Sequence, residues 1–189
     1  LRYGLNDKIE LNTNVLLLPL VPGAALKISL GEAKGFILSG EHGISSPTPF
    51  LNVVSRKGIG GILSPEFDFP FILSIKNGII ASKPVCTNTL LSIHANYTFA
   101  LRGSQPDYQA TIDLPLFYPR MAHYYKGSTV NIGLSVKGTL SSKWLYEQSA
   151  QVYIITRNEN NFFFENSGSL LWALGRTLRI RGGYVLTYG

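Results

Sequence analysis

Apolar and polar residues alternate along most of the chain, and a period of two puts successive side chains on opposite faces of a β-strand. Leu26, Ile28 and Leu30 alternate with Lys27, Ser29 and Gly31. From Glu66 to Lys76, one face takes Phe67, Phe69, Phe71, Leu73 and Ile75, and the other takes Glu66, Asp68, Ser74 and Lys76. From Leu91 the apolar series is Leu91, Ile93, Ala95, Tyr97, Phe99 and Leu101, set against Ser92, His94, Asn96, Thr98 and Arg102. Noisier runs cover 9–17, 108–116, 131–140 and 178–188. Helical periodicity is absent nearly everywhere.

Turn chemistry separates these runs at Asn6-Asp7, Pro22-Gly23, Lys34-Gly35, Lys57-Gly58, Asn77-Gly78, Gly103-Ser104, Lys126-Gly127, Ser141-Ser142, 158–161 and Gly175-Arg176. The pattern predicts an antiparallel meander of roughly ten to twelve strands, at about 10 residues per strand. Longer connections are expected near 42–47, 78–88 and 117–126, all within one domain spanning 1–189. Pro65, Pro70 and Pro115 fall inside strand-like runs, so bulges or local edges are expected there.

Strand length and the make-up of the polar face then choose among β architectures. Soluble sandwich strands run to about five or six residues, whereas several runs here alternate for about ten or more, the length that crosses a bilayer. A soluble, lipocalin-like barrel is apolar inside and needs an outer face dense in Lys and Glu. Here the polar face mixes Ser, Thr, Asn, Gly and His with scattered charges, which suits a hydrated or side-chain-filled lumen, and the apolar face suits lipid. Tyr97, Phe99, Phe117, Tyr118, Trp144, Tyr146, Trp172, Tyr184 and Tyr188 are placed to form interfacial girdles. The expected fold is all-β: a transmembrane antiparallel up-and-down β-barrel, with the odd residues 67–75 and 91–101 towards lipid.

Composition agrees with this pattern. Only 15% of the 189 residues are charged and 45% are hydrophobic, which excludes disorder. The most apolar stretch, 15–26, is short and broken by Pro19, Pro22 and Gly23, so no transmembrane helix fits. The first residues hold neither an initiating Met nor an apolar signal core, and targeting cannot be read from them. A single cysteine, Cys86, excludes an intramolecular disulfide and multi-cysteine zinc patterns.

The last strand-like run, Arg181-Gly182-Gly183-Tyr184-Val185-Leu186-Thr187-Tyr188, resembles the assembly signal of Gram-negative outer-membrane β-barrel proteins, with Arg181, Gly183, Leu186 and Tyr188 at its polar, glycine, apolar and aromatic positions. The stretch 3–11 is similar to a short periplasmic-side hairpin of such barrels. The resemblance implies residence in the bacterial outer membrane, contact with its lipid and lipopolysaccharide, and insertion by the barrel assembly machinery.

Candidate chemistry is sparse. Ser92, His94 and Asn96 share one face of one strand and are the residue types of a nucleophile, its base and an orienting group. Outer-membrane lipid hydrolases of this general kind place His before Ser and face the pair to the membrane; here the order is reversed and the face is the lumen, so ordinary polar lining is the expected role. No metal or cofactor is expected, because no His, Asp or Glu pair has ligand-like spacing with an identifiable partner. The net charge of +6 is dispersed, which argues against a nucleic-acid patch. Lys27, Lys76, Arg102, Lys137 and Arg179 are expected on the lumen face with Arg181, opposed by Glu10, Asp68 and Asp113. The expected function is therefore non-enzymatic: a narrow small-solute channel or porin, or a membrane anchor for partner proteins. A lipid-modifying hydrolase and a soluble ligand-binding barrel are the alternatives.

Overall fold

Alternating side chains need two different environments, and the chain supplies them with a single antiparallel sheet. The computed structural model describes residues 2–13, 18–19, 21–57, 69–105, 118–156, 162–174 and 179–189. Among these residues, ten strands follow one another in space as in sequence: β1 (Arg2–Asn6), β2 (Ile9–Asn12), β3 (Gly23–Ala33), β4 (Phe36–Ser45), β5 (Ile72–Cys86), β6 (Thr89–Arg102), β7 (Ser128–Ser141), β8 (Trp144–Ile155), β9 (Phe162–Ala173) and β10 (Arg179–Tyr188). Every neighbouring pair is antiparallel, as the hairpin reading requires. β1 and β10 do not pair with each other, so the sheet is open along those two edges.

The connections sort by length. Tight turns at 7–8, 34–35, 87–88 and 142–143 lie at one end of the sheet. Lys34 and Gly35 both have positive φ, 52° and 76°, as a two-residue hairpin turn that matches strand twist demands. The opposite end carries the long connections and two short helices, α1 (Thr48–Lys57) between β4 and β5 and α2 (Tyr118–Lys126) between β6 and β7. The β1–β2 turn and the end of β10 therefore sit at opposite ends of the sheet.

Several expectations are corrected. The connection expected at 78–88 is the second half of the 15-residue β5, with a turn only at 87–88, and Asn77-Gly78 lies inside that strand. A side chain at Gly78 would collide with Asn96 on β6, so glycine there serves close packing and not a turn. In the run expected to begin at Glu66, the described part forms a strand from Ile72, and residues 66–68 lie outside the described residues. Pro70 accordingly sits ahead of the ladder and needs no donor. Phe69, expected towards lipid, is 5% exposed and packs with Leu51, Ile72 and Tyr125 between the helices and the sheet. A different proline, Pro84, does lie within β5, at a register shift where the ladder is interrupted. Phe67, Pro65, Pro115 and the run 108–116 fall outside the described residues.

Polar groups tie α1 to the start of β5. Thr48 Oγ1 accepts from Ile72 N at 2.8 Å and donates to Pro70 O at 3.1 Å, Ser46 Oγ donates to Ile72 O, and Asn52 Oδ1 accepts from Phe69 N. These bonds satisfy backbone that has left the sheet but is still partly buried. The second small core lies under α2, where Ala122 meets Tyr153, Ile155 and Phe163.

Candidate functional site: a layered polar face capped by a helix

Strand register stacks the polar face into layers. Nearest the tight turns is a charged layer: Lys137 Nζ is 3.2 Å from Glu147 Oε1, and Arg181 Nη2 is 3.1 Å from Glu147 Oε2, so one carboxylate serves two cations. The next layer is hydroxyl. Ser82, Ser92, Ser135, Ser149 and Ser167 lie in register across β5 to β9, with Ser82 bonded to Ser92 and Ser149 to Ser167, each at 2.8 Å.

Amides form the middle layers. His94 Nε2 donates to Asn131 Oδ1 at 3.0 Å, and Asn96 Nδ2 donates to the same oxygen at 3.3 Å. Asn131 Nδ2 passes the direction on to Gln151 Oε1 at 3.2 Å, and Gln151 Nε2 donates to Glu165 Oε1. Glu165, 1% exposed, is ion-paired through Oε2 to Arg120 of α2. Donors from four side chains thus point one way round the wall towards one buried carboxylate, an arrangement in which each bond polarises the next. Gly133 makes room for it: a Cβ there would lie 2.5 Å from His94 Cε1 and 2.8 Å from Gln151 Cβ.

The last layer is α2 itself, laid on the polar face. Ser74 Oγ and His123 Nε2 are 2.9 Å apart on the β5 side, and Arg120 reaches β9 on the other. Arg102 Nη1 donates to the carbonyls of Tyr124 at 3.3 Å and Tyr125 at 2.6 Å, placing a cation at the carbonyl end of the helix. Gly127, with φ of 105°, ends the helix by donating its N–H to His123 O. Burial pushes His123 down to about 4 and Tyr124 up to about 12, and raises Tyr125 as well, so all three are neutral in the docked helix near neutral pH.

Between α2 and the wall lies a cavity of about 510 Å³ lined by residues that include Lys27, Lys76, His94, Asn96, Arg120 and Gln151. Lys76 pairs with Glu41 at 3.0 Å, and Lys27 stands in register between Glu10 and Glu41.

Of the residues expected to line a lumen, Lys27, Lys76, Ser92, His94, Asn96, Arg102 and Lys137 share this polar face. Arg179 opens β10, while Asp68 and Asp113 lie outside the described residues. Arg181 and Gly183 are on the polar side of β10, whereas Tyr184, Leu186 and Tyr188 are on the apolar side. Ser92, His94 and Asn96 take partners on neighbouring strands: Ser92 bonds Ser82, and the other two meet on Asn131. Among the described residues, no three or more of His, Cys, Asp and Glu converge on a metal site. Sequence reasoning missed Asn131, Gln151, Glu165, Arg120 and His123; the available signal was a lone carboxylate, Glu165, following three phenylalanines.

Compared with protein-family models, with curated proteins and with solved structures, the chain finds no match.

Proposed function

We propose that this sheet is the wall of an integral outer-membrane β-barrel, non-enzymatic, whose polar face bounds a narrow path for small solutes. The observation that carries the reading is the partition of the two faces. Ile79, Ile93, Leu101, Ile132, Leu134 and Leu170 are exposed on the face opposite the amide layers, and soluble proteins rarely leave so large an apolar surface to water. Aromatic residues mark both ends of that face. Trp144, Trp172 and Tyr146 lie near the tight turns, and Phe71, Tyr97, Phe162, Phe164 and Tyr188 lie towards the opposite end, the arrangement of interfacial girdles. Lys83, near the tight turns, lays its ammonium over Phe36 at 5.3 Å, in keeping with a cation reaching back to an aqueous boundary.

The charge of the wall supports a mild preference for anions. Glu147 is shared by Lys137 and Arg181, and Arg102 faces carbonyls, so cations outnumber the carboxylates they meet.

Reconstitution into planar bilayers tests this. Small, discrete, anion-favouring conductance steps are expected, and Lys137→Glu should shift the selectivity towards cations. Folded protein that stays electrically silent would replace the channel with a filled barrel serving as a membrane anchor, the reading favoured by the docking of α2 across the polar face. Protein that remains monomeric and folded in buffer without detergent would overturn the membrane reading itself.

A further inference from the structure

On the apolar face, two rows break the pattern: Gln148, Asn166 and Tyr184 bond to one another across β8 to β10, and a second row crosses β4 to β6. His42, Asn77 and Tyr97 lie directly across β4, β5 and β6 from one another. His42 Nδ1–H donates to Asn77 Oδ1 at 2.8 Å, which leaves Nε2 as an acceptor and the Asn77 Nδ2 group as a donor. Neither has a partner among the described residues. Around them the face is apolar, with Leu26 and Ile44 flanking His42 and Ile75 and Ile79 flanking Asn77.

The space beside the pair is shaped by small residues. Gly40 and Ala95, one step nearer the tight turns, leave a shallow depression of about 450 Å³ walled by Leu30, Ile79, Tyr97, Val130 and Ile132. A Cβ on Gly40 would lie 3.3 Å from His42 Nε2, so the missing side chain is what leaves this nitrogen open to the depression. The row is three residues from the end of β4, about 10 Å at strand rise, and level with Tyr97, which packs on Phe99 at 5.8 Å between ring centroids. An aromatic belt marks the depth at which acyl chains meet the polar linkage groups of a lipid.

We propose that this depression is a lipid-binding site for an amphiphile carrying a hydroxyl and a carbonyl beside its acyl chain, the hydroxyl donating to His42 Nε2 and the carbonyl accepting from Asn77 Nδ2. It rests on the membrane reading above. The acyl chain lies against Leu30, Ile79 and Ile132. A polar pair facing hydrocarbon is costly unless its groups are satisfied, and a ligand with both functions satisfies the two that the protein leaves over.

The test uses the full chain in phosphatidylcholine nanodiscs with its three histidines labelled with nitrogen-15, His42 being assigned by loss of its signal in His42→Gln. Titration with 1-monoolein, which has both functions, is expected to move the His42 Nε2 resonance saturably. Triolein, which has carbonyls and no hydroxyl, should leave it in place. Asn77→Leu should weaken the monoolein response roughly fivefold to tenfold, as for one lost hydrogen bond, and Gly40→Leu should abolish it by filling the depression. An unmoved resonance, an equal response to triolein, or an unchanged response in Gly40→Leu would overturn the site. These failures would occur in protein already inserted in nanodiscs, so they are distinct from failure of the membrane reading, which shows as protein that does not enter the bilayer.

Discussion

Arg120 of α2 is ion-paired to Glu165 of β9, so a helix from the β6–β7 connection is fastened to a strand three places further round the sheet. The carboxylate is almost wholly buried while the guanidinium keeps about two-fifths of its exposure, 41% against 1%. Removing the cation strands the more deeply buried charge, and removing the carboxylate leaves a charge that water still reaches. Arg120→Met is therefore expected to cost on the order of 3 kcal/mol, and Glu165→Gln less, because Arg120 stays solvated and the amide can still accept from Gln151. Urea unfolding in lipid vesicles checks the order; a larger loss from Glu165→Gln would count against it.

Gly133 is a second fixed point. Gly133→Val drives a side chain into His94 and Gln151 and is expected to destabilise the fold by about 1–3 kcal/mol through overpacking. Gly182→Val, where a Cβ would meet nothing within 4 Å, serves as the control and should leave the unfolding midpoint unchanged.

Docking of α2 should depend on pH. Burial holds His123 down at about 4, while the released helix has an ordinary histidine near 6.5. The released form takes up a proton that the docked form refuses, so docking weakens as pH falls from about 6.5 to about 4 and is level above that window. Hydrogen exchange of the α2 amides at pH 7 and pH 4.5, corrected for intrinsic rates, is expected to show faster opening at the lower pH. In His123→Gln the difference should shrink; an undiminished difference would assign it to another group.

The terminal strand gives a prediction about assembly. Leu186 and Tyr188 share the apolar face with Ile93 and Leu101, and all four are exposed there. Replacing Leu186 and Tyr188 with Ala is expected to lower the heat-modifiable folded fraction in outer membranes well below that of an Ile93→Ala, Leu101→Ala pair, while refolding of purified protein in detergent stays normal. Equal losses from the two pairs would reduce the terminal residues to lipid-facing area. Phe69 is unsuitable as a comparison, because it belongs to the core under the helices.

Period two made β3 and β6 legible, since Leu26–Ile28–Leu30 and the long series from Leu91 meet one environment on each face. The same rule misplaced the start of β5. Phe67, Phe69 and Phe71 alternate as a strand would, but Pro70 cannot donate to a ladder, and Phe69 gains more from Leu51 and Tyr125 than from a solvent- or lipid-facing position. The helices were hidden because each is about ten residues long and held by tertiary bonds; Thr48-Pro49 and Tyr118-Pro119, proline in a first helical turn, were their only local marks. The site was half legible. Alternation assigned His94 and Asn96 to a polar face, but that Asn131 collects both depends on register, which turns and bulges set and which no single strand reveals.

Trp144 and Trp172 stack face to face across β8 and β9, with ring centroids 5.5 Å apart and planes within 3°. They are the only two indoles in the chain. Two stacked chromophores this close couple their excitations and so alter the hairpin's near-ultraviolet absorption, and a one-residue slip would send one ring to the other face and erase that signature. The protein has a built-in optical gauge of strand register, readable in any lipid or detergent without a label.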